Sequence, residues 1–221
     1  TDIFRNEYLS PRSPYTTLQI PKQGIGEWCH PLHTVDINDA GLRSSVQNGI
    51  LNTELGIPFR TPAEGHNVAF TSLWDNYPDS LEIPLKGKAS RAYLLMAGST
   101  NHMQCHIDNG VIRIYYKDGT RDVMFLRNPD NWPPIEHIFF EDGLAFNRHT
   151  PALYRLRLKT GEISNNFGEE LGFPGASREL DGGAAVLLEM PLNPGKKLSH
   201  LVLETLSNDV VIGLMSITLQ R

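Results

Sequence analysis

Short runs of β-branched, aromatic and aliphatic residues, each closed off by Gly, Pro, Asn or Asp, recur along the whole chain, and no helical period lasts long enough for a long amphipathic helix. The runs cover residues 16–20, 57–60, 67–73, 81–85, 90–97, 111–117, 121–127, 153–159, 184–190, 200–205 and 210–219. A chain patterned in this way buries its apolar residues by stacking sheets. The reading is therefore all-β, an antiparallel β-sandwich or jelly roll. The clearest local signal is "YYKDGTRDVMFL", where Asp118-Gly119 separates two alternating runs and supplies the positive φ that a tight hairpin turn needs. Asp108-Asn109-Gly110 closes the other end of 111–117, so antiparallel neighbours in a meander are expected.

Two regions depart from this pattern. Residues 22–56 are dense in Gly, His, Asp and Asn, and any helix over 38–51 would be interrupted by Gly41 and Gly49. The expected organisation is an N-terminal strand and irregular arm over 1–56, packed on a sandwich domain over 57–221. Residues 128–150, "NPDNWPPIEHIFFEDGLAFNRHT", read as a long ordered loop, a common place for binding on a rigid sheet.

At 221 residues the chain is long for one sandwich and short for two full domains, and its 40% hydrophobic content suffices for a sizeable core. A formal net charge of −5 and the absence of a Lys/Arg run exclude a nucleic-acid or anionic-membrane surface. No stretch approaches ~18 uninterrupted apolar residues, so no membrane insertion is expected. The start at Thr1-Asp2, with no basic-then-apolar leader, fits a mature secreted chain or an excised piece of a longer one.

Cys29 and Cys105 leave three readings open, namely a mutual disulfide, a metal site or two unlinked thiols. Cys29-His30-Pro31-Leu32-His33 and His102-Met103-Gln104-Cys105-His106 hold zinc-type ligands, but without the tight-knuckle spacing, so no metal is assigned. No cofactor is expected either, since Gly24-Ile25-Gly26 lacks the third glycine and the following helix of a dinucleotide loop.

"GIPFR" at 56–60, "NVAFTSLWDNYPDSLEIPLKGKASRAYLLMAGST" and "GVIRIYYKDGTRDVMFLRNPDNW" resemble the galactose-binding-like jelly-roll domains that accompany bacterial glycosidases. With "LSHLVLETLSNDVVIGLMSITL" they also resemble an uncharacterised domain family. It occurs alone or at the C-terminus of large secreted polysaccharide-degrading proteins of gut bacteria, whose other part looks like a six-hairpin glycosidase. The resemblance covers about residues 57–221. It implies a jelly-roll fold, a secreted, periplasmic or cell-surface setting and a saccharide context, and it assigns no catalytic residue.

The candidate binding residues fall in two loops. In "TSLWDNYPDS", Trp74 or Tyr77 would stack on a pyranose face while Asp75 and Asn76 hydrogen-bond hydroxyls. The competing reading has Trp74 and Tyr77 capping the sandwich and Asp75 and Asn76 closing a turn. In "RNPDNWPPIEH", Trp132 is the stacking candidate, with Asn131, Glu136 and His137 around it. A glycosidase needs two carboxylates about 5 Å or roughly 6.5–9.5 Å apart. Glu136 with Asp142, or Asp75 with Glu136, are the available pairs, and their spacing does not single them out. No Gly-x-Ser-x-Gly elbow is present. Three functions stay open: a noncatalytic carbohydrate-binding module, a structural domain buttressing a glycosidase catalytic partner, and an autonomous glycoside hydrolase. A binder would leave Trp28, Trp74 or Trp132 exposed among polar groups, a buttress would expose an apolar patch, and a hydrolase would hold paired carboxylates in a cleft.

Overall fold

The structure is a computed structural model that describes residues 10–19, 36–73, 76–101, 104–138, 147–172 and 178–221. It is all-β and antiparallel. One sheet has seven strands in the order β1 (Tyr15–Thr16), β5 (Val68–Ser72), β14 (Val210–Gln220), β7 (Arg91–Thr100), β12 (Ala184–Pro191), β10 (Arg155–Arg157) and β11 (Ile163–Ser164). The second has four, in the order β6 (Ser80–Pro84), β13 (Leu198–Thr205), β8 (Asp108–Tyr116) and β9 (Arg121–Arg127). A third, small sheet joins β2 (Val46–Gln47), β3 (Ile50–Asn52) and β4 (Pro58–Arg60). Only two short helices are described, α1 (Ala40–Ser44) and α2 (Phe167–Glu170).

The two large sheets face each other across a core of Leu94, Met96, Val186, Leu188, Ile212 and Leu214 from one side and Ile112, Ile114, Leu126, Leu201 and Leu203 from the other. The opposite face of the seven-stranded sheet is buried as well. Leu95, Ala97, Ala185, Leu187 and Val211 meet Leu42 of α1, Leu51 of β3 and Phe59 of β4 in a second core. This double burial explains why "AYLLMAG", "AAVLLEM" and "VVIGLM" are nearly continuous apolar runs, while β9 and β6 alternate.

Each predicted run overlaps an observed strand, the first of them only at Thr16, but the meander does not form. β5, β6, β7 and β8 switch sheets at every step, so within each sheet most neighbours are distant in sequence, as with β14 between β5 and β7. The reason is that each sheet has an apolar face that only the other sheet covers. The Asp118-Gly119 hairpin is present. Gly119 N–H donates to Tyr116 O (3.1 Å) and Tyr116 N–H to Thr120 O (2.9 Å), which leaves Lys117, Asp118 and Gly119 as the loop, with Gly119 at φ +84°. Asp118 Oδ1 accepts from Thr120 N–H (3.0 Å) and its carboxylate pairs with Lys196 (2.9 Å).

The arm is more regular than expected. Asn48 and Gly49, at φ 52° and 75°, make a two-residue turn between β2 and β3. β3 then pairs with β4, so the 56/57 boundary falls inside a hairpin. Gly41, read as a helix breaker, is a close-approach residue, because a Cβ there would lie 2.3 Å from Lys159 O. Residues 22–35, with Trp28, Cys29 and Gly24-Ile25-Gly26, lie outside the described residues, as do Trp74, Asp75, His102, Glu141 and Asp142.

Candidate functional site

The first nominated loop follows β5 of the seven-stranded sheet, whereas the second follows β9 of the four-stranded sheet and reaches the seven-stranded one through Ile135 N–H to Gly98 O (2.8 Å). Their described side chains, however, turn into the protein. Trp132 is 0% exposed and belongs to the core between the large sheets, where its ring lies so close over Gly98 that a Cβ there would be 2.7 Å from the ring. The exposed stacking role expected of Trp132 is thus corrected. A Trp flanked by Asn and Pro reads as a surface residue, yet the missing side chain at Gly98 creates the recess that takes it. Tyr77 is also buried, in the second core, with its ring 5.5 Å from Phe70 and the Arg12 guanidinium 5.4 Å from its centroid. Asn76 is buried at φ +56° and its carbonyl accepts from Arg12 N–H (2.8 Å). Asn131 clamps its own loop, accepting from Arg127 N–H (2.7 Å) and donating to Phe125 O (2.9 Å). These groups therefore shape the scaffold, and Trp132 and Tyr77 present no sugar-stacking face.

Glu136 is fully buried, and Ser99 Oγ bonds its two oxygens at 3.0 and 3.2 Å. Beside it runs the buried Arg155 side chain of β10, whose guanidinium donates to the carbonyls of Pro134 (2.7 Å), Ile135 (3.2 Å), Ala184 (3.1 Å) and His137. A single guanidinium thereby pins the loop after Trp132 to β12, aided by Ile135 N–H to Gly98 O (2.8 Å) and Ala184 N–H to Ile135 O (2.7 Å). The backbone at half-buried His137 pairs with that at Glu179 in an isolated antiparallel β-bridge. Burial pushes the Glu136 carboxyl up to about 7, with Ser99 and the Arg155 charge pulling the other way. Burial likewise lowers Arg155 to about 10, so it stays cationic at neutral pH.

A raised carboxyl is what a general acid needs, but Glu136 has no exposed surface and does not line the cleft described below. Its effect is on stability. The folded state holds the Glu136 proton to a higher pH than the unfolded chain, so this group's contribution is largest below its ordinary 4.5, falls as pH rises towards about 7, and is flat above. At ~1.4 kcal/mol per pH unit this amounts to about 3 kcal/mol. Glu136→Gln is expected to remove that slope, so that urea denaturation at pH 5 and pH 8 shows the variant gaining on the wild type at pH 8. Parallel pH profiles would contradict the assignment.

Next to this buried network a cleft of about 350 Å³ opens between the loop ending at Ile138, the approach to β10 and the β11–α2 corner. Pro129, Pro133, Ile138, Ala152, Leu153 and Phe167 form its apolar lining; Arg148, Arg155, Arg178, Ser164, Asn165 and Asn166 are the polar groups. Gly168 completes the wall. Among the described residues no carboxylate lines it. The volume falls in the range of small-molecule sites, and apolar walls with a few polar groups are their usual make-up. The sequence reading missed this cleft, because its residues come from four separated stretches and the basic ones are isolated arginines.

Comparison with protein-family models, curated proteins and solved structures finds no match for the chain.

Proposed function

We propose that the protein is a noncatalytic saccharide-binding module of bacterial polysaccharide degradation, acting outside the cytoplasm, and that its ligand is an acidic saccharide held in the cleft at the β10–β11 edge. The observation that carries this reading is the cleft's polar lining, Arg148 and Arg178 with hydroxyl and amide groups and no carboxylate among the described residues, in a chain of net charge −5. Guanidinium groups suit the carboxylates of uronic acids, amides and hydroxyls suit ring hydroxyls, and the Pro and Leu walls suit the apolar faces of a pyranose. Glycoside hydrolysis needs a pair of carboxylates at the substrate, and Glu136, a member of both candidate pairs, lies buried outside the lining.

Affinity electrophoresis through gels containing polygalacturonate, alginate or neutral glucans tests it. Retention is expected in the acidic gels, is expected to weaken roughly tenfold or more in Arg178→Ala, and is expected to fall with salt. Retention by neutral glucans alone would overturn the acidic assignment.

A second reading, the domain that buttresses a glycosidase catalytic partner, draws on a different observation. Val123 and Phe125, on the outer side of edge strand β9, are 43% and 42% exposed. Near them Arg127 lies over the Phe125 ring, and on the same face Arg121 lies over the Tyr115 ring, which stacks on His200. If no polysaccharide is retained at all, this reading takes first place.

A further inference from the structure

The β7–β8 and β9–β10 connections converge at the end of the sandwich beside the cleft. His106 N–H donates to Asn128 O (2.7 Å), His149 N–H donates to Asp130 Oδ1 (2.7 Å), and Thr150 Oγ1 donates to Asp130 O (2.6 Å). These bonds bring His106, Asp130 and His149 together, so that one donor atom from each lies within 4.8 Å of the other two. His106 holds the left-handed region at φ +55°, which a non-glycine residue rarely adopts.

We propose that His106, Asp130 and His149 bind a divalent transition-metal ion of the zinc class. The separations favour an ion over simple hydrogen bonding. His149 Nδ1 lies 3.5 Å from Asp130 Oδ1 and His106 Nδ1 lies 3.9 Å from Asp130 Oδ2, both beyond a good N–H···O bond. Donor atoms that share one zinc, each about 2.0–2.2 Å from it, stand roughly 3–3.5 Å apart, so small side-chain rotations bring this set to coordinating distance. Two imidazoles and one carboxylate select zinc, cobalt or nickel over calcium or magnesium, which prefer all-oxygen shells. Three protein ligands leave a coordination position open, and the His149 side chain, 63% exposed, places it in reach of solvent. The ion would sit at the margin of the cleft, since Pro129 and Arg148, each one residue from a ligand, line it. The inference does not depend on the saccharide reading.

Chelator-stripped full-length protein, titrated calorimetrically with Zn²⁺, is expected to bind one ion at this site. Affinity is expected to drop roughly a hundredfold or more in His149→Ala, whose side chain is 63% exposed, and at least tenfold in Asp130→Asn, which keeps an acceptor for the His149 N–H. Circular-dichroism melts establish that both variants are folded. Co²⁺ is expected to give a visible spectrum without a thiolate charge-transfer band. Equal Zn²⁺ affinity in wild type and both folded variants, a thiolate band, or no binding would each overturn the proposal.

Discussion

Trp132→Ala is expected to lower the free energy of unfolding by about 3–5 kcal/mol, the range for deleting a fully buried large aromatic. The indole fills the core between the two large sheets and lies over Gly98, so truncation leaves a cavity whose walls, the backbones of β7 and β14, are held by ladder hydrogen bonds and relax little. The indole N–H has no acceptor among the described residues, so the contribution of Trp132 is packing. Urea denaturation of the wild type and variant measures the loss. A change below about 1 kcal/mol would mean that Trp132 is a surface residue after all.

Arg155→Met is expected to cost a similar amount, about 3–5 kcal/mol, by another route. Methionine keeps most of the aliphatic volume but removes the donors on which the carbonyls of Pro134, Ile135, His137 and Ala184 rely. It also removes the cation that favours Glu136 ionisation, so the Glu136 carboxyl is pushed further up. The destabilisation is therefore expected to be greater at pH 8, where the wild-type carboxyl is ionised, than at pH 5, where it is neutral. Equal losses at the two pH values would contradict the electrostatic part of the account.

The strands were legible because a sheet buried on both faces leaves uninterrupted apolar runs, and Asp118-Gly119 was legible because a tight turn needs positive φ. Asn48-Gly49 carried the same turn signal and went unread inside a stretch that otherwise lacks period. Strand order was not legible. It follows from which sheet each strand joins, and residues such as Thr71 and Thr205, whose hydroxyls meet at 2.7 Å between the sheets, are distant in sequence. The buried state of Trp132 depends on Gly98, and that of Arg155 on four carbonyls of other segments; neither leaves a trace in local composition. The cleft and the His106, Asp130 and His149 cluster are likewise assembled from separate loops. Asn131, Glu136 and His137 stood in the right loop, but their groups face the scaffold.

The saccharide assignment is tested most directly by mapping backbone amide chemical shifts while a galacturonate oligosaccharide is added. Binding at the cleft predicts that the perturbed amides cluster at Leu153, Ser164, Asn165, Phe167, Gly168 and Arg178, with the opposite sheet unchanged. Perturbations centred on Tyr115, Phe125 and His200, or none at saturating oligosaccharide, would contradict it.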